Sequence, residues 1–182
     1  MGRTRLATVW LGGCSGCHMS FLDLDEFLVD LAGLVDVVFS PVVDVKEYPR
    51  DVDVCLIEGA VCNEDHVEMV HKIRARTKTV IAFGDCAVTG NVSAIRNQLG
   101  LGNAENVLQR AYLEAAQFNR CVPEEKGIVP PLLKRVTPVH EMIHVDYFLP
   151  GCPPSAARIK SFVTQLLEGK TPQLEGAEIK FG

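Results

Sequence analysis

The stretch RLATVWLGGCSGCHMS, Arg5 to Ser20, begins as an apolar run, turns through glycines that flank Cys14 and Cys17, and enters a segment of helical period. Read as strand, loop and helix, it is the opening of a βαβ unit. Its CxxC alone suits a redox dithiol, half of a metal site, or a glycine-rich phosphate loop. The positions of the other cysteines decide among these.

The same alternation runs on along the chain. VDVVFS (Val35 to Ser40), VDVCLIEG (Val52 to Gly59), KTVIAFG (Lys78 to Gly84) and IHVDYFLPG (Ile143 to Gly151) read as four further strands. Near-continuous Val, Ile and Leu in the third and fourth strands predicts burial on both faces. Leu24, Phe27, Leu28 and Leu31 share one helical face, with Asp23, Glu26 and Asp30 opposite, so a first helix is expected directly after the CxxC. Asn63 is placed to cap a second helix, with Glu64 and Asp65 in its first turn and Arg74 and Arg76 in its last. After Pro153 and Pro154, the face Ile159, Phe162, Val163 and Leu166 marks a final helix that stops at Gly169. Residues 91–139 fit this pattern less well. One helix is expected around Ala104 to Phe118, followed by CVPEEKGIVPPLLKRVTP, an irregular connection of a length associated with function or partner contact. There is no internal repeat and no low-complexity tract. Residues 1–182 are therefore expected to form a single α/β domain, a doubly wound parallel sheet with helices on both faces.

Composition narrows the class of protein. Hydrophobic residues make up 47% of the 182 and charged residues 23%, as in ordinary globular chains. The balance of 18 basic against 23 acidic residues leaves a formal charge of -5, without a basic stripe to track phosphates, which argues against a nucleic-acid partner. No segment approaches the roughly 18 to 20 apolar residues of a membrane span. The N-terminus reads as a first strand rather than a secretory signal, so a cytoplasmic protein is expected. In that reducing setting seven cysteines, an odd number, point to metal or redox chemistry rather than a disulfide framework.

On the expected scaffold, Cys14 and Cys17 follow the first strand, Cys86 (in FGDCAVTGN) follows the fourth, and Cys152 (in LPGCPP) follows the fifth. All lie beyond the carboxyl ends of strands, the edge where open α/β sheets build their sites. Four thiolates there suit either a structural zinc ion or an iron-sulfur cluster. The small residues in GGCSGC, GDCA and PGCPP favour the cluster, because they allow backbone N–H groups close to a bulky anion. A thioredoxin-type dithiol accounts for Cys14 and Cys17 but not for Cys86 and Cys152. The phosphate-loop reading fails, since GGCSGC matches neither GxGxxG nor GxxxxGK[ST].

Taken in order, GCSGC, LIEGAV, GDCAVTGN and PGCPP resemble the N-terminal domain of nickel-iron hydrogenase small subunits, over about residues 5 to 168. The resemblance implies a flavodoxin-like fold and one 4Fe-4S cluster held by Cys14, Cys17, Cys86 and Cys152. It also singles out Glu58, whose carboxylate could tune the cluster, relay protons, or act as an oxygen ligand in one redox state; the alternative is a strand-end carboxylate that accepts hydrogen bonds from loop N–H groups. Many relatives carry a second domain with two more clusters, which is not expected here. Gly13 stands where many periplasmic relatives have a glutamate. A one-cluster, leaderless chain looks most like the small subunit of cytoplasmic bidirectional NAD(P)-reducing hydrogenases. Their complex I relatives typically have adjacent cysteines in place of the CxxC.

The implied partners are a hydrogenase large subunit with the nickel-iron centre, and diaphorase subunits with flavin and further iron-sulfur clusters. The family's nickel is held by two CxxC pairs of the large subunit, and only one such pair exists here. This chain is thus expected to transfer electrons within a hydrogen:NAD+ oxidoreductase, a hetero-oligomer, and not to split hydrogen alone. The alternatives are a complex I-like iron-sulfur subunit or a stand-alone thiol or flavin redox module. The loop where FMN phosphate would sit is filled by two cysteines and offers only the Ser15 hydroxyl, so no flavin is expected in this chain. Cys55 reads as a small buried hydrophobe, Cys62 as a packing or helix-entry residue, and His18 as a helix-start or interface residue. Cys121 receives no role.

Overall fold

In the computed structural model, which describes residues 2–100 and 102–179, the chain runs β1 (Thr4–Trp10), α1 (Gly16–Leu22), α2 (Phe27–Leu34), β2 (Val35–Phe39), β3 (Val52–Glu58) and β4 (Val61–Asn63). It continues α3 (Glu64–Arg76), β5 (Thr77–Phe83), α4 (Asp85–Thr89), α5 (Asn103–Leu108), β6 (Leu132–Thr137), β7 (Tyr147–Leu149) and α6 (Ala156–Leu167). Five strands form one parallel sheet in the order β2-β1-β3-β5-β7. This is the flavodoxin-like order, in which the winding reverses between the first strand and its neighbour β3 and opens a crevice at their carboxyl ends.

Strand alternation divides the core into two layers. Leu6, Val54, Leu56, Ile81, Phe83 and Leu149 face Leu24, Leu31, Ile159, Phe162 and Val163 from α6 and the segment around α2. Ala7, Val9, Cys55, Ile57, Val80 and Ala82 face Val70, Ile73 and Ala87 from α3 and α4. Each large aliphatic or aromatic side chain removed from water in these layers contributes about 1.5–3 kcal/mol. The expected α3 is present with its cap, as Asn63 Oδ1 accepts the His66 N–H at 2.9 Å. At its other end Arg74 donates to the carbonyls of Thr77 and Lys78 at 2.6 and 2.8 Å and pairs with Asp146 at 2.7 Å.

Four expectations need correction. The single helix after the CxxC is two short ones, because the chain turns between them with Asp25 in the left-handed region at φ 49°. The expected helix Ala104 to Phe118 ends at Glu114, its second half wound as a π-helical turn over Gln109–Glu114. Within the connection expected to be irregular, β6 pairs antiparallel with β4. Asn97 holds β6 as a neighbouring strand would, since its Nδ2 donates to Val136 O at 2.8 Å and its Oδ1 accepts the Val136 N–H at 2.9 Å. The last strand is also shorter than expected. Ile143 and Val145 are buried in the core, but only Tyr147–Leu149 joins the ladder.

Candidate functional site

All the residues nominated by sequence lie along the carboxyl edge of the sheet. Cys14 follows β1, Cys17 sits in the first turn of α1, and Glu58 ends β3 beside the reversal point. Cys86 lies in the first turn of α4, and Cys152 follows β7. Cys17 and Cys86 are buried, while Cys14 and Cys152 are exposed. Burial pushes the Cys17 thiol far above its ordinary range, and the charges of Glu58, Cys86, Cys14 and Cys152 push it further. The Cys86 thiol is also raised by burial and by the charges of Cys152 and Cys14, while hydrogen bonding from Ser93 pulls the other way. Three loops far apart in sequence thus bring four sulfurs within electrostatic reach of one another.

The loops are fixed by hydrogen bonds between them. Glu58, only 2% exposed, accepts the backbone N–H of Cys17 on Oε1 at 3.3 Å and that of His18 on Oε2 at 2.9 Å. Its Oε2 also bonds to His18 Nδ1. Both carboxylate oxygens therefore hold the start of α1. Asp85 pairs with Gly151 in both directions: its backbone N–H donates to Gly151 O at 2.9 Å, and its Oδ1 accepts the Gly151 N–H at 2.7 Å. That exchange joins the Cys86 and Cys152 loops. The Ser20 hydroxyl donates to Pro154 O at 2.6 Å, tying α1 to the segment after Cys152. The Ser93 hydroxyl donates to Gly12 O at 2.6 Å, tying the segment after α4 to the CxxC loop.

Glycine is required where these loops crowd. A Cβ on Gly84 would stand 2.1 Å from Cys17 Sγ, and its φ of 82° is left-handed. A Cβ on Gly151 would stand 2.6 Å from Pro154 Cα.

The donor chemistry suits a soft cationic group. Neutral thiols that resist ionising in isolation are ionised by the metal that binds them. Among the described residues, no three Cys, His, Asp or Glu side chains are grouped so as to hold one metal ion. Four thiols on one edge fit an iron-sulfur group, and the small residues around them leave its approach open.

The remaining cysteines separate cleanly. Cys55 is fully buried in the sheet. Cys62, half-buried at the entry to α3, donates to Ala60 O at 3.4 Å. Cys121 is exposed. Sequence reading missed the joining roles of Asp85, Ser20 and Ser93, and the amide of Asn91, whose Nδ2 donates to Cys152 Sγ at 3.2 Å. Asp85 and Asn91 stand inside the quoted GDCAVTGN, but a motif names residue types and not their partners.

Comparison with known proteins shows the family. Residues 14–166 match the family described as NADH ubiquinone oxidoreductase, 20 Kd subunit. A subunit of the F420-non-reducing hydrogenase of Methanococcus voltae is 40% identical over 173 residues, which is 94% of this chain and 59% of that relative. The chain thus spans less than two thirds of that relative's length. The NAD-reducing hydrogenase HoxS subunit delta of Cupriavidus necator is 37% identical over 93% of this chain and 81% of its own. A chain in the crystal structure of an NAD+-reducing NiFe hydrogenase in the H2-reduced state superposes with a TM-score of 0.92, at 39% identity and over 100% of both chains. The Ni-Fe-Se hydrogenase of Desulfomicrobium baculatum, at 15% identity and a TM-score of 0.56, shares the fold. The chain belongs to the NADH ubiquinone oxidoreductase, 20 Kd subunit, family, and within it is similar to hydrogenase subunits.

Proposed function

We propose that this chain is the electron-transfer small subunit of a cytoplasmic nickel-iron hydrogenase that reduces NAD(P). In this reading Cys14, Cys17, Cys86 and Cys152 hold one 4Fe-4S cluster between the nickel-iron site of a large subunit and a diaphorase module with flavin. The observation that carries the reading is the placement of Cys14 and Cys17, Cys86 and Cys152, from three separate loops, along one edge of the sheet. The end-to-end likeness to a chain of an NAD+-reducing NiFe hydrogenase supports the choice of enzyme.

A cluster bound there supplies reversible one-electron storage. The chain's own residues do the rest. Cys17 and Cys86 present their sulfurs from buried positions and keep water from that side. Exposed Cys14 and Cys152 bring the other side to the surface, where electrons can pass to a partner. Glu58 holds the Cys17 backbone in register through its N–H. Asp85 keeps Cys86 and Cys152 at a fixed separation by pairing with Gly151. Among the described residues no helix is long and apolar enough to cross a membrane.

Anaerobic purification of the tagged full chain with its partners tests this. The expected result is about four iron and four sulfide per chain, nickel in a co-purified larger subunit, and hydrogen-dependent reduction of NAD(P). A colourless chain with one zinc would overturn it. The family's description favours a complex I-type iron-sulfur subunit as the second reading. A nickel-free partner would select that one.

A further inference from the structure

Asn91 follows Gly90 at the turn that ends α4 and starts a 3-10 segment, Asn91–Leu99. Its φ of 34° lies in the left-handed region, which Asn tolerates better than most residues with side chains. That backbone aims the side-chain amide at the exposed thiol, with Nδ2 at 3.2 Å from Cys152 Sγ.

The segment is anchored independently of this contact. The Ser93 hydroxyl donates to Gly12 O at 2.6 Å, and the Ala94 N–H donates to Gly90 O at 3.0 Å. Ser93 also hydrogen-bonds toward Cys86. Ser93 reaches that sulfur through its side chain and through its backbone N–H. The Gly16 N–H faces Cys14 Sγ at 3.4 Å. Cys14 and Cys86 each have a backbone N–H among their donors, which an ordinary side-chain substitution leaves in place. The donor to Cys152 is a side chain.

We propose that Asn91 sets the reduction potential of this site by donating an amide hydrogen bond to Cys152 Sγ. The inference rests on the reading of Cys152 as a cluster ligand. When one electron arrives, negative charge gathers on the ligand sulfurs, and a donor aimed at one of them stabilises the reduced state more than the oxidised state. No bond to sulfur forms or breaks and no proton moves. The electron comes from the redox partner, or from dithionite through mediators in the test below.

The test compares the full chain, purified anaerobically in its complex, as wild type, Asn91→Gly and Asn91→Asp. Both substitutions suit a left-handed backbone. Iron and sulfide content are measured first, and then the midpoint potential by EPR-monitored titration. The expected result is full loading with the midpoint moved to more negative potential in both variants. The shift is larger for Asp, which replaces a donor by a negative charge. The exchangeable-proton coupling of the reduced centre should weaken in Asn91→Gly. A purely structural Asn91 would change loading or melting temperature without moving the potential. A fully loaded Asn91→Gly at the wild-type potential overturns the inference alone, and so does an Asn91→Asp potential more positive than wild type. If Asn91→Gly loads poorly, the near-isosteric Asp variant supplies the reading. A wild-type chain without iron overturns the ligand assignment itself.

Discussion

The backbone N–H of Cys17 donates to Glu58 Oε1 at 3.3 Å, joining the loop after β1 to the last residue of β3. The same carboxylate takes the His18 N–H and the His18 ring on Oε2. A buried group with three hydrogen-bond partners is costly to delete, since each partner is left unpaired. Glu58→Ala is expected to destabilise the iron-free chain by about 2–4 kcal/mol, and Glu58→Gln, which keeps one accepting oxygen, by about half of that. Urea unfolding measures both. Equal midpoints for wild type and Glu58→Ala would mean that α1 holds its position without the carboxylate.

Much of this architecture was legible in the sequence, for reasons that differ element by element. β1, β2, β3 and β5 follow from short β-branched runs with the right period, and fall within a residue or two of the expected bounds. β4 escaped because it has three residues. β6 escaped because Pro130 and Pro131 precede it and exposed Lys134 and Arg135 interrupt its apolar pattern. Ile143 and Val145 misled in the opposite sense, as buried side chains on backbone that never joins the sheet. The four cysteines and Glu58 could be placed on one edge because strand ends are readable. That Glu58 accepts loop N–H groups was a reading the sequence offered, but not which ones, because His18 is 40 residues away and only the parallel pairing of β1 and β3 brings them together.

Gly84 is the tightest point of the site. Gly84→Ala would set a methyl group 2.1 Å from Cys17 Sγ on backbone at φ 82°. The left-handed backbone alone costs about 1–2 kcal/mol, and displacement of the sulfur adds to it. The expected outcome is lower iron content per chain together with a lower unfolding midpoint. Gly169→Ala is the control, as its φ is 73° but no atom lies within 4 Å of the added carbon. It should show the backbone cost with unchanged iron. Unchanged iron in Gly84→Ala would remove the close approach from the account of the site.

Cys55 and Cys121 divide packing from accessibility. Cys55 is 0% exposed, and burial pushes its thiol up to about 12. It is therefore expected to resist iodoacetamide in the folded chain, while exposed Cys121 reacts readily. Cys55→Ala should cost about 1–2 kcal/mol by leaving a small cavity and should leave the iron content as in wild type. Mass spectrometry after brief alkylation, urea unfolding and iron analysis check these four outcomes. Loss of iron in Cys55→Ala would place this cysteine in the site after all.

The pH dependence of stability follows from His66, with the acids acting lower on the scale. The His66 ring packs beside the entry to α3, and its Nδ1 accepts the Cys62 N–H at 3.2 Å, an arrangement that a proton on Nδ1 would break. Burial holds its pKa below the usual imidazole value, against the smaller opposing effects of Asp65 and the Ala60 carbonyl. Because the folded value is depressed, the unfolded chain takes the proton more readily. The contribution to stability is complete above the unfolded value of about 6.5 and is lost as pH falls through the folded value below it. Asp53 is also depressed, by hydrogen bonds from Lys78 and the Arg5 N–H. Asp146 is pulled upward by its burial but held down overall by the Val80 N–H and Arg74. Their loss begins only near the carboxylate range, below about pH 4. The urea midpoint of the iron-free chain should thus be level between about pH 7 and 8, fall as pH drops below about 6.5, and fall again below about pH 4. His66→Gln should flatten the first fall and keep the second. If the first fall persists unchanged in that variant, its origin lies in a group other than His66.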